Sequence, residues 1–167
     1  MRGRPSFRRW GVAAVLALGA CAAGAVQSPA PASGGSDPEP PSASADRGRE
    51  VARLVNAHRA RIGCPALEWD ALAAQAAQRH TDDMVRRSYF AHVSPEGQGP
   101  GERLRAQGAA WRAVAENIAS GQETAAEVVR GWLASAGHRR NIEGCNYTRQ
   151  GVGYARGRWT HVFYTPL

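Results

Sequence analysis

Three stretches of the chain place apolar residues at helical spacing, and two near its end alternate as strands do. Val51, Leu54, Val55 and His58 recur every three or four positions with Gly63 just beyond, which predicts a helix over 47–61. Leu72, Ala73, Ala76, Ala77, His80 and Met84 share one face of a second, Ala-rich helix that Asp70 caps and that runs to about Ser88. Between them Ala66 to Trp69 is a short extended segment. Tyr89 to Gly101 is a Gly- and Pro-rich loop, Glu102 to Gln107 a helical turn ended by Gly108, and Trp111 to Asn117 extended. Thr124 and Glu127 stand at capping-box spacing and open a helix whose apolar face is Val128, Val129, Trp132 and Leu133; Gly137 should end it. Gly151 to Ala155 and Arg158 to Tyr164 read as a hairpin turning at Arg156-Gly157. Helices, a central strand, another helix and a terminal hairpin make one mixed α/β layered domain without internal repeats.

The first residues follow a different pattern. Arg2, Arg4, Arg8 and Arg9 precede an apolar run from Trp10 to Val26, roughly 17 residues of which many are Ala and Gly. A basic start, a short apolar stretch and then small residues describe a secretory signal over 1–20, with an uncleaved anchor as the rival. Cleavage after Ala25 is one option. The other is Leu18-Gly-Ala-Cys21, which resembles the lipobox of bacterial lipoproteins and would make Cys21 the lipidated first residue of the mature chain. Residues 27–46 contain no large apolar side chain and are rich in Pro, Ser and Ala, so they cannot bury enough surface to order themselves. They read as a tether, 21–46 in all, between an anchored end and a domain at 47–167.

Cysteine arithmetic supports that division. The chain has three cysteines, Cys21, Cys64 and Cys145. Lipidation of Cys21 leaves Cys64 and Cys145 to pair in an oxidising compartment, closing a loop worth about 4 kcal/mol in the chain-entropy model. A zinc site on those two is the competing reading, but neither has a His or Cys at ligand spacing. The formal charge of +7 changes little, because four of the 21 basic residues lie in the leader while all 14 acidic ones lie outside it. The mature chain is near neutral and its arginines are scattered, which argues against nucleic acid as a partner.

Five short stretches carry the polar residues that could do chemistry: Asn56 to Arg59, Gln78 to Met84, Tyr89 to Ser94, Ala115 to Ala119, and Gly131 to Ile142. Together they resemble the bacterial branch of the CAP (SCP/PR-1-like) domain family, which includes cysteine-rich secretory proteins, venom antigens and plant pathogenesis-related proteins. Phe90-x-His92, Glu116-Asn-Ile-Ala119 and Trp132-x-x-Ser135-x-Gly-His138-Arg-x-Asn-Ile142 occur in that branch's order and spacing. The closing Trp159-Thr-His-Val-Phe163 is similar to its Trp-Thr-Gln-Val-Phe. The resemblance covers about residues 50–165 and implies a three-layer α-β-α sandwich.

It also implies a polar cleft where His and acidic residues converge. His92 matches the first His and Glu116 the acid of the Glu-Asn motif. The second acid of the eukaryotic pattern falls on Ser135 and its second His on Arg158, so that tetrad is half present. His138 is expected to line the same cleft. His92, His138 and Glu116 could hold zinc or another divalent metal with an open position, or move protons as an acid/base pair, or simply hydrogen-bond and pin loops; helix-end capping is the alternative for His138. His58 and His80 read as buried structural histidines, and His161 as surface or structural. No Gly-x-Ser-x-Gly elbow surrounds Ser94 or Ser135.

Three functions compete. The first is an exported, lipid-anchored or secreted monomer at the outer face of the membrane that binds an envelope lipid, glycan or protein without catalysis. The second is a hydrolase of peptide or cell wall using Glu116 or a His as general base. The third is a structural envelope domain without a ligand.

Overall fold

The structure is a computed structural model that describes residues 43–167. Nine elements follow in order: α1 (Ala43–Arg61), β1 (Glu68–Trp69), α2 (Ala71–Arg86), α3 (Pro100–Ala106), β2 (Trp111–Ser120), α4 (Ala125–Ala134), α5 (Ala136–Ile142), β3 (Arg149–Ala155) and β4 (Arg158–Pro166). The strands form one sheet in the order β1-β3-β4-β2, parallel between β1 and β3 and antiparallel elsewhere. Two apolar cores flank it. Val51 and Val55 of α1, Val128 and Trp132 of α4 and Ile142 of α5 pack with Val152, Trp159 and Phe163. On the other side Ala73, Ala76 and Ala77 of α2 and Leu104 of α3 pack with Val162 and Tyr164. Alternate residues of β4 thus feed opposite layers, the period of two that strands dictate. The fold is the α-β-α sandwich that the sequence implies.

The Ala-rich face of α2 sets an unusually close approach. A Cβ on Gly151 would lie 2.1 Å from the Ala74 nitrogen, and one on Gly153 2.5 Å from the Gln78 Cα. Small residues on the helix and glycines on β3 let the two backbones meet, which buries α2 without large side chains. The caps agree with the sequence: Asp70 accepts from the Ala73 N–H, and Thr124 and Glu127 form the capping box of α4.

Strand β2 runs on to Ser120 and α3 starts at Pro100, each a little beyond expectation, and two further boundaries differ with consequences. Helix α1 begins at Ala43, so the last residues assigned to the tether belong to the domain. The Ser44 hydroxyl lies 2.7 Å from the Tyr154 carbonyl and 2.8 Å from Gln78 Oε1, which anchors that extra turn. Helix α4 stops at Ala134 instead of reaching Gly137, because Ser135 takes an extended conformation and α5 starts immediately after it. His138 therefore sits inside a helix and does not cap the end of one. The signal segment, Cys21 and most of the tether lie outside the described residues.

Cys64 and Cys145 form a disulfide across 81 positions. Beside it Arg59 is fully buried and spends its guanidinium on four carbonyls, those of Pro65, Ile142, Gly144 and Tyr147. Burial lowers its pKa from the ordinary arginine value. Covalent bond and guanidinium together fix the chain between α5 and β3 against the end of α1.

The close approach of α2 is testable. Gly153→Ala should cost about 3 kcal/mol in urea unfolding, at the upper end for overpacking, because backbone lies in the way. Gly131→Ala, on the exposed side of α4 with nothing within 4 Å, should be neutral or gain up to ~1 kcal/mol.

Candidate functional site

Glu116 stands in β2, an edge strand of the sheet, and its side chain is 1% exposed. A carboxylate there needs partners, and it has two. Arg103 of α3 donates from Nη2 to Oε2 at 2.6 Å, and His92 donates from Nδ1 to Oε1 at 2.9 Å. The second bond leaves Nε2 as the imidazole's unspent nitrogen, on a side chain that is 50% exposed. Arg103 itself is 8% exposed on its side chain, so the ion pair is a buried one.

The loop that carries His92 is held through its carbonyls. His80 Nε2 donates to Ala91 at 2.9 Å, Arg103 Nη1 to His92 at 2.9 Å and to Gln98 at 2.6 Å, and Arg158 to Tyr89. Arg158 also donates to Met84 at 2.9 Å. The position where the eukaryotic pattern has a second His thus grips the base of the loop. The Tyr89 hydroxyl donates to Asp83 at 2.8 Å, and burial plus that carboxylate push its pKa up to about 12, so it stays a donor.

The next residue of β2 reaches α5. Asn117 Nδ2 donates to the His138 carbonyl at 3.0 Å, while Asn141 Nδ2 donates to Asn117 Oδ1 at 2.8 Å and to the Glu116 carbonyl at 3.2 Å. The Trp132 indole donates to the Ile118 carbonyl at 3.2 Å. These bonds fix α4 and α5 beside the acid. There Ser135 and His138 line a groove of about 300 Å³ together with Phe90, Ile118 and Trp132. The Ser135 hydroxyl makes no capping bond to α5. Burial, then the neighbouring His92, lower the pKa of His138. Phe90 and Val93, on either side of His92, are 49% and 52% exposed.

The sequence-derived residues therefore form two adjoining sets, His92 with Glu116 and Ser135 with His138. Arg103 was missed, since nothing in its local sequence distinguishes it from any arginine on a short helix. Asn117 and Asn141 stood inside recognised motifs without a role. His58 is a largely buried partner of Glu143 at 2.9 Å. His80 is buried as expected. His161 is structural and fully buried, donating from Nε2 to Gln150 at 3.0 Å while its Nδ1 has no partner.

The residues do not fit a metal. Both Glu116 oxygens and His92 Nδ1 are engaged within the chain, and among the described residues no three His, Cys, Asp or Glu side chains group as a metal site requires. The cation at the carboxylate is Arg103.

The profile of the cysteine-rich secretory protein (CAP) family matches residues 52–165. The chain belongs to this family. Its CAP domain is 38% identical to the Bacillus subtilis "uncharacterized protein YkwD" over 117 residues, 69% of this chain and 46% of that protein. It is 35% identical to the "uncharacterized membrane protein YlbC" of the same organism over 115 residues, 69% of this chain and 33% of that one. The chain thus spans less than half the length of these relatives. Among solved structures, an extracellular SCP-domain protein from Bacillus anthracis superposes with a TM-score of 0.71 at 32% identity, over 72% of this chain and 41% of the other. An outer surface protein from Borrelia burgdorferi superposes with a TM-score of 0.66 at 18% identity, over 71% and 92%, and shows the fold alone.

Two predictions follow from the electrostatics of the CAP domain. Arg103→Met strands a buried carboxylate and should cost about 3–5 kcal/mol, whereas Arg103→Met with Glu116→Gln should recover much of that in a double-mutant cycle. The second concerns acid. Burial and the charge of Arg59 lower the pKa of His161 from 6.5 to about 3. His80 is lowered by burial and Arg103. Above the unfolded value both states are neutral. As pH falls below it the unfolded chain takes up protons that the folded chain refuses, so stability drops toward pH 3. His161→Gln should flatten the fall measured by urea unfolding between pH 6 and 4 by up to ~1.4 kcal/mol per pH unit.

Proposed function

We propose that the domain is a binding module displayed outside the cytoplasmic membrane, with His92 and the Ser135/His138 groove as its recognition surface. The observation that carries this reading is the fixed state of Glu116. A carboxylate with both oxygens engaged by Arg103 and His92 is a positioning group, and it presents one half-exposed imidazole beside an apolar groove. Ligand sites of this kind combine an apolar wall with a few placed polar atoms. Exposed Phe90 and Val93 extend the apolar surface around His92.

Export is supported by the basic and apolar N-terminal pattern, by the disulfide and by the extracellular SCP-domain neighbour. The lipobox-like Leu18 to Cys21 would anchor the chain by lipid at the outer face, with the Pro-rich segment as spacer. The ligand belongs to the envelope: a lipid, a glycan or a protein.

A hydrolase is the second reading, and one contact favours it. Glu116 orients His92 through Nδ1 and leaves Nε2 outward, the arrangement of a general base with its orienting acid. Glu116 itself is too engaged to be that base.

Envelope extracts from the source cell, pulled down on immobilised full chain, separate the readings. A ligand retained by the wild type and lost by at least about tenfold with His92→Ala, without turnover, supports binding. Turnover of peptidoglycan or casein that vanishes in His92→Ala would replace the binding module with the hydrolase. Retention that His92→Ala leaves unchanged, with only the melting temperature lowered, would make the site structural.

A further inference from the structure

A second cavity, of about 580 Å³, lies between the C-terminal half of α2, the 94–98 loop and α3. Arg103 lines it, and neither His92 nor Glu116 does. Its volume is in the range of small-ligand sites. Its chemistry is unlike that of the groove beside His138. His80, Ser94 and Arg103 are its buried polar lining residues, 2%, 8% and 7% exposed.

Most charges around it are already matched. Arg87 pairs with Glu96 at 2.6 Å and with Asp83 at 3.5 Å, and Arg86 pairs with Asp83, while Asp82 accepts an amide hydrogen bond from Gln78 at 2.9 Å and has no ion pair among the described residues. Two kinds of group remain unspent. The exposed guanidinium of Arg79, on the α2 wall, takes part in none of the ion pairs or side-chain hydrogen bonds among the described residues. The side-chain amides of Gln98 and Gln107, also in the lining, are likewise without a partner there. A guanidinium without a carboxylate matches a bidentate anion, and an amide side chain offers a donor and an acceptor, the complement of a peptide group.

We propose that this cavity is a binding site for the free C-terminal carboxylate of a short peptide, with Arg79 on the carboxylate and Gln98 and Gln107 on the peptide groups. It stands behind the His92 loop and is linked to it. Arg103 Nη1 holds the carbonyls of both Gln98 and His92, while its Nη2 holds Glu116, which holds the His92 ring. A peptide that draws on Gln98 or Arg103 therefore alters the setting of His92 without touching it. This goes beyond the reading of the His92 groove and fails separately from it, since His92→Ala leaves every wall of the cavity in place.

The probe is N-acetyl-dialanine, in D,D and L,L forms, titrated into isotopically labelled full-length chain and followed by NMR at fixed pH. The amide signals of Ser94 and Gln98 and the ring signals of His92 should move together, with a midpoint below ~10 mM for at least one form. Capping the carboxylate as an amide should weaken binding about tenfold, and Arg79→Ala about fivefold, with the melting temperature of that exposed-site variant unchanged. Equal binding of acid and amide, an unaffected Arg79→Ala, or no shifts at that concentration would overturn the site. Equal binding of glucuronate would overturn the peptide and leave a general carboxylate site. Cavity signals that move while His92 stays still would overturn the link through Arg103.

Discussion

The charge buried at Glu116 is the constraint around which the site is arranged. Placing a carboxylate in an edge strand under cover of a loop costs several kcal/mol unless a cation and hydrogen bonds meet it. Arg103 can do so only because α3 is docked tightly on β2. A Cβ on Gly101 would lie 2.4 Å from the Trp111 ring, and the Trp111 indole donates to the Gly101 carbonyl at 3.0 Å. Glycine thus sets the distance, the indole bond sets the orientation, and Leu104 seals the contact in the core. The guanidinium then has donors left over, and these hold the His92 loop. One buried charge accounts for the helix position, the loop conformation and the orientation of the exposed imidazole.

The opposite layer satisfies its buried polar groups differently. Arg59 has no carboxylate partner among the described residues and is matched by carbonyls of irregular chain, which would otherwise be buried acceptors without donors. A line of polar side chains crosses the sheet nearby. Asn56 exchanges two hydrogen bonds with the backbone of Leu67 at 2.9 and 2.8 Å, Gln150 donates to the same Leu67 carbonyl at 3.2 Å, and His161 donates to Gln150. Such a line ties α1, β1, β3 and β4 into one register, since every member must be satisfied for the core to close. The disulfide reinforces the same corner, where regular structure is sparse.

Local signals carried most of the fold and only part of the site. The helical faces of α1, α2 and α4, the caps at Asp70 and Thr124, and the alternation of the final hairpin are properties of neighbours in the chain, and the structure agrees with each. The missing turn of α1 was illegible because Ala43 to Asp46 have the composition of the tether before them; what orders them is Ser44 reaching the far strand. The break at Ser135 was hidden by Gly137, a plausible stop two residues later. His92, Glu116, Ser135 and His138 were legible because they fall inside motifs of a resembling family. Arg103 was not, since its role depends on Trp111 and Gly101 bringing α3 to the strand, a contact no periodicity encodes. Of the two readings of His161, surface or structural, the structure takes the second. Alternation predicts an exposed face, but both faces of β4 are covered.

The same reasoning bears on what the site can do. A Glu and two His in one cleft suggest a metal when read from sequence, because the residue types fit and distances are unknown. The structure supplies a guanidinium at the carboxylate, and each carboxylate oxygen already accepts a hydrogen bond within the chain. What remains is asymmetric: His92 is hydrogen-bonded from below and open above, while Ser135 and His138 line a groove beside it. Any ligand that uses both must bridge from an imidazole nitrogen to an apolar wall. Under the binding reading proposed above, such a ligand is amphiphilic, and the hydrogen bonds that converge on the His92 loop and ring serve to orient that one imidazole.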